Sequence, residues 1–112
     1  MSPTDSLLVH NVYFSLIDRS AEARQRLLDA CCKHLPGHPG IVFFGCGVLA
    51  DELRREVNDR DWDVGLHIIF QDQAAHDHYQ ETDAHLTFIA ENRANWRQVR
   101  VFDSVAGQSS TP

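Results

Sequence analysis

The chain has 112 residues, a net charge of -6 and 43% apolar residues. That length suits one domain, large enough to bury about two thirds of its unfolded surface. The acidic balance and scattered basic residues exclude nucleic acid as the main partner, since phosphate binding needs a basic face.

Residues 1–6 are polar and read as a flexible N-terminus. Met1–Leu8 carries no basic segment and no long apolar core, so neither a signal peptide nor a membrane span is expected. Residues 7–17 (LLVHNVYFSLI) read as a strand. Its alternation puts His10, Val12, Phe14 and Leu16 on one face and Val9, Asn11, Tyr13, Ser15 and Ile17 on the other. Ser20 is a good N-cap, with Glu22 in the first turn, for a helix running to about Leu35. Ala23, Leu27, Ala30, Cys31 and Leu35 form its apolar stripe, and Pro36-Gly37-His38-Pro39-Gly40 ends it.

Residues 41–49 (IVFFGCGVL) read as a second strand, in which Gly45 and Gly47 suggest a bulge or a close backbone approach. Residues 50–60 are highly charged and read as a loop with one helical turn. The third strand, 62–70, is almost continuously apolar from Val64 to Phe70 and bounded by acidic residues, which fits a strand covered on both faces. Asp72 caps a short helix to about Tyr79, and Thr82 or Asp83 caps another from Ala84 to about Asn92. A last strand, 98–105, puts Val99, Val101 and Asp103 on one face and Phe102 on the other. The tail 106–112 (AGQSSTP) reads as disordered.

The order is β-α-β-β-α-β with the second helical region split. It predicts an α+β, ferredoxin-like domain over 7–105, a four-stranded antiparallel sheet with helices on one face. Helices of this number cover one side only. The other side stays apolar and marks an interaction surface, which a two-fold homodimer packed sheet against sheet would bury. His67 falls on that face and is expected at the interface. The thiols Cys31, Cys32 and Cys46 cannot all pair internally and show no Cys-x-x-Cys spacing. They read as reduced thiols in a cytoplasmic protein.

Several segments in order resemble a known family. They are Val9-His10-Asn11-Val12, Asp63-Val64-Gly65-Leu66, Phe70-Gln71-Asp72, Tyr79 with Ala84-His85-Leu86-Thr87-Phe88, and Val99-Arg100-Val101-Phe102-Asp103. Together they are similar to the stress-responsive A/B barrel domain, or Dabb, over about residues 8–105. The resemblance implies a dimeric α+β barrel with a small cavity between sheet and helices, in a family mostly without an assigned reaction. One plant member is a polyketide cyclase, and its functional histidine, tyrosine and histidine match His10, Tyr79 and His85 in position. The family commonly carries His-Pro between the last two, where this chain has Thr82-Asp83.

The expected chemistry follows from residue types. His85 could act as a general base beside a carbonyl, because an imidazole titrates near neutral pH. The Tyr79 hydroxyl could donate to a developing enolate oxygen. His10 could orient a polar group of the ligand, although a strand histidine beside Val12 and Phe14 also suits a satisfied core position. A break near Thr82-Asp83 is needed, since residues six apart on one straight helix diverge. Val12, Phe14, Leu66, Ile68 and Phe88 are the expected apolar walls. Three functions remain open: a binding protein for a small hydrophobic or carbonyl-containing metabolite, a cofactor-independent cyclase, isomerase or lyase, and a stress-linked dimer whose interior is filled by its own side chains.

No metal site is expected. His76 and His78 cannot share a helix face, and Pro36 and Gly37 separate His34 from His38. Asp51, Glu52, Asp59, Asp61 and Asp63 are interspersed with arginines, which favours a solvated acidic loop over cation capture. With no phosphate loop or nucleotide fingerprint, the chain is expected to work without a cofactor. Trp62 and Trp96 are expected as core or rim residues.

Overall fold

Alternation along the first strand sets the architecture. Leu8, His10, Val12, Phe14 and Leu16 are buried on one side of β1 (Ser6–Leu16). The computed structural model describes residues 6–107. Residues 1–5 and 108–112, with the flexible terminus and most of the tail expected there, lie outside them, while Ser6, Ala106 and Gly107 belong to strands.

After β1 come α1 (Ala21–His34), β2 (Ile41–Val48), β3 (Val64–Phe70), α2 (Gln73–Glu81), α3 (Asp83–Asn92) and β4 (Trp96–Gly107), with a short 3-10 turn at Arg93–Asn95. The strands form one antiparallel sheet in the order β2-β3-β1-β4. This is the expected ferredoxin-like α+β arrangement. No helix among the described residues is long and apolar enough to cross a membrane.

The helix boundaries follow local chemistry. The Ser20 hydroxyl accepts from the Ala23 N–H at 3.1 Å, and the Asp72 carboxylate accepts from the Ala75 N–H at 2.9 Å. Each such cap contributes about 1 kcal/mol. Between β1 and β3, Asp63 acts as a buried anchor. Its carboxylate accepts from the Leu16 N–H at 2.8 Å and from Arg19 Nε at 3.0 Å, and its own N–H donates to the Phe14 carbonyl at 2.8 Å. Gly40 takes a φ of +87°, and a Cβ there would stand 2.4 Å from that of Ala75. Only glycine lets the turn before β2 pass this close to α2.

Three expectations are corrected. The irregularity in β2 lies between Ile41 and Phe43, not at Gly45 or Gly47; Gly45 instead leaves room for the Phe43 ring on the outer face. Segment 50–60 forms turns without a helix. Its aspartates and the adjacent Asp61 are held by arginines: Asp51 by Arg54 and Arg60, Asp59 by Arg100, Asp61 by Arg97. The outer sheet face is also covered in part by the chain itself. The Trp62 ring meets Tyr13 edge-on at 5.0 Å, and Ser15 Oγ donates to the Asp61 carbonyl at 2.8 Å. The rest of that face presents Val9, Asn11, His67 and Ile69 with the exposed rings of Phe43 (51%) and Phe102 (54%).

Candidate functional site

The helix-facing side of the sheet does not pack solidly against α2 and α3. A cavity of about 160 Å³ lies between them. Sheet residues His10, Val12, Phe14 and Leu66 and helix residues Tyr79, His85 and Phe88 all line it, so seven of the expected residues come together. Ile68 does not: it is fully buried directly opposite His10 in the pairing of β1 with β3, and lies in the core rather than on the wall.

Thr82 makes the corner that joins the two helices. It is both the C-cap of α2 and the N-cap of α3, with extended backbone. Its hydroxyl donates to the Tyr79 carbonyl at 3.0 Å and accepts the His85 N–H at 3.2 Å. The turn brings the two rings together with centroids 4.8 Å apart and planes at 64°. The apolar end is an aromatic group in which Phe14 stands 4.9 Å from Trp96 and 6.2 Å from Phe88.

Burial dominates the electrostatics. It lowers the pKa of His85, and the neighbouring His10 adds to the effect, while the Gln80 backbone carbonyl opposes it. The ring is therefore neutral near pH 7 and able to accept a proton. Tyr79 is 1% exposed, and burial raises its pKa well above the usual phenol range, so its hydroxyl remains a donor. Burial also lowers the pKa of His10, against the pull of Asp103. His10 Nδ1 lies 2.5 Å from the Asp103 carboxylate. A carboxylate accepts only, so the proton sits on Nδ1 and Nε2 keeps its lone pair. Hence His10 is a satisfied strand histidine that still reaches the cavity.

Two polar atoms on the cavity residues have no partner. His85 Nδ1 and Trp96 Nε1 are buried and make no hydrogen bond among the described residues. Buried polar groups are nearly always paired, so each unpaired one points to something further. Sequence reasoning missed Trp96, together with Gln80, Ile89, Val99 and Val101 on the wall. The signal for the two valines was available: they share the Asp103 face of β4, which pairs with the His10 face of β1.

The Stress responsive A/B Barrel Domain family profile matches residues 8–106. No curated protein sequence matches significantly. Among solved structures, a Dabb family protein with a ferredoxin-like fold from Mesorhizobium loti is 24% identical with a TM-score of 0.72, covering 90% of this chain and 97% of its own. A dimeric ferredoxin-like protein of unknown function from Thermobifida fusca has a TM-score of 0.76 at 11% identity, covering 95% and 96%. A hydroxynitrile lyase from Passiflora edulis has a TM-score of 0.73 at 14% identity, covering 94% and 97%. At these identities the structural likeness establishes the fold. With nearly its whole length matched by the profile, the chain belongs to the stress-responsive A/B barrel domain family.

Proposed function

We propose that the protein binds a compact carbonyl compound in the cavity between its sheet and helices. The two unpartnered groups, His85 Nδ1 and Trp96 Nε1, carry this reading. The indole N–H can only donate, and the neutral imidazole can donate or accept. A carbonyl or hydroxyl oxygen between apolar walls would relieve a cost of about 1–3 kcal/mol per orphaned group. Size narrows the ligand further. A cavity of about 150 Å³ holds one benzene-sized molecule, so the 160 Å³ here suits a single ring or a short branched chain. A void beside His85 also runs against an interior filled by its own side chains.

The second reading is catalytic. Tyr79 as donor and His85 as base lie close enough to serve one substrate, which fits cofactor-independent enolate or lyase chemistry. The Passiflora edulis lyase gives the fold a precedent for lyase activity, not for this chain's substrate.

A homodimer through the outer sheet face completes the proposal. It is supported by Val9, Ile69, Phe43 and Phe102 on that face and by the dimeric Thermobifida fusca neighbour. Three free thiols suit a reducing, cytoplasmic setting.

Calorimetric titration with benzaldehyde and related single-ring carbonyl compounds tests the binding reading. Saturable binding is expected, weakened about 10-fold or more in His85→Ala and in Trp96→Phe, since each removes a buried partner. Binding that neither variant changes would overturn it. If a bound compound is turned over, His85→Ala abolishes turnover under the catalytic reading, and unchanged turnover removes that reading.

A further inference from the structure

His10 belongs to a second constellation, on the side of its ring where Asp103 lies. His10, His76 and Asp103 each offer a ligating atom, and these atoms all lie within 4.8 Å of one another. The residues come from three elements. His10 on β1 and Asp103 on β4 are direct register partners, and His76 on α2 sits above them. The two imidazole rings have centroids 5.0 Å apart and planes at 63°, so they converge rather than stack.

His76 is already oriented. Its Nδ1 lies 3.0 Å from the Asp77 carboxylate, and its Nε2 accepts only a long contact of 3.5 Å from the Gln80 amide, which a metal ion would replace. A carboxylate behind an imidazole fixes the tautomer and strengthens the ring as a ligand. The site is also accessible. The His76 and Asp103 side chains are 17% and 41% exposed, and both line an open groove of about 240 Å³.

We propose that His10, His76 and Asp103 bind a divalent transition-metal ion of the zinc class. Two imidazole nitrogens and one carboxylate oxygen form a donor set suited to zinc, cobalt or iron. Magnesium and calcium are held by oxygen alone. Three protein ligands leave a coordination position open toward the groove, as in sites that bind a water or an anionic ligand rather than purely structural ones. Metal binding through His10 Nδ1 selects the other neutral tautomer, in which the ring proton sits on Nε2. Two ligands on a tetrahedral ion stand roughly 3.3 Å apart by the usual bond lengths, so the 2.5 Å contact must open. The partly exposed Asp103 carboxylate can rotate to allow it. This departs from the cofactor-free expectation, because spacing along the chain sets His76 only against His78.

The test uses full-length protein stripped with a chelator and titrated with Co²⁺ by visible absorption and with Zn²⁺ by calorimetry. One Co²⁺ per protomer is expected, with the ligand-field bands of a four-coordinate nitrogen–oxygen site. His76→Ala and the nearly isosteric Asp103→Asn should each lower affinity at least 10-fold while the thermal melt remains cooperative. His78→Ala, outside the cluster, should bind as the parent does. No saturable uptake at micromolar metal would overturn the proposal. So would uptake unchanged in both cluster variants, or lost in His78→Ala, which would place the ion on surface histidines. Because the carbonyl pocket shares only His10 with this cluster, failure here leaves the Trp96 and His85 readouts untouched.

Discussion

At the residue scale, a protein that folds around neutral imidazoles is sensitive to acid in a defined window. His10 and His85 both have folded-state pKa values below the ordinary imidazole value, chiefly because they are buried. The unfolded chain therefore binds protons first as pH falls below about 7. Stability is full above the unfolded pKa, falls as pH drops toward the folded pKa, and levels off below it. Asp18 and Asp59 also have lowered values, from hydrogen bonds to Ser20 and Arg100 respectively, but their contribution is lost only below the ordinary carboxylate range. Chemical denaturation at pH 7.5 and pH 5 should show a lower midpoint at pH 5, and His85→Gln should reduce the difference. An equal difference in that variant would mean His85 is not among the groups responsible. The family resemblance, rather than residue identity alone, pointed to His10, Tyr79 and His85 as polar groups of one cavity. It did not reveal Trp96 or Asp103 as their companions, because both reach the site through strand register rather than through spacing along the chain. Ile68 illustrates the limit from the other direction: correct parity puts a residue on the right face, but only packing decides whether it meets a void or another side chain.

At the element scale, the α2–α3 corner does the positioning. Thr82 ends one helix and starts the next with a single hydroxyl, and this converts a six-residue separation into a ring contact. Thr82→Ala should cost about 1 kcal/mol, as lost caps generally do, and lower the melting temperature by roughly 4 °C. Thr82→Ser should recover most of the loss. A serine variant as unstable as the alanine variant would show that the methyl group, not the hydroxyl, holds the corner. This element was legible because capping residues and helix breaks are local. The bulge in β2 was not, since Gly45 and Gly47 are local signals of flexibility, whereas the offset at Val42 arises from how β2 pairs with β3. The start of β4 was also hidden. Trp96 follows directly on the 3-10 turn, and its ring completes the aromatic end of the cavity.

For the whole molecule, the sheet divides two tasks. One side encloses the cavity, and the other presents Phe43, Phe102, Val9 and Ile69, the face proposed to meet a second copy. A charge buried on that face cannot be desolvated cheaply. Phe102→Asp is therefore expected to shift sedimentation from a particle of twice 12.7 kDa toward the single subunit, with the far-ultraviolet dichroism retained. A variant that remains fully dimeric would place the interface elsewhere. The near-continuous apolar run of β3 made the need for cover on both faces visible from sequence. The partial self-cover by Trp62 was not visible, because a loop residue carries no periodicity to place it.

The two tryptophans also supply the most direct test of the central claim. Trp62 Nε1 already donates to the Asp59 carbonyl at 2.9 Å, whereas Trp96 Nε1 is buried without a partner among the described residues. Titration of ¹⁵N-labelled protein with benzaldehyde, followed at the two indole N–H resonances, separates the sites. The Trp96 signal is expected to move downfield and saturate while the Trp62 signal stays in place. A Trp96 resonance that does not respond, or one that moves only in step with Trp62, would contradict it.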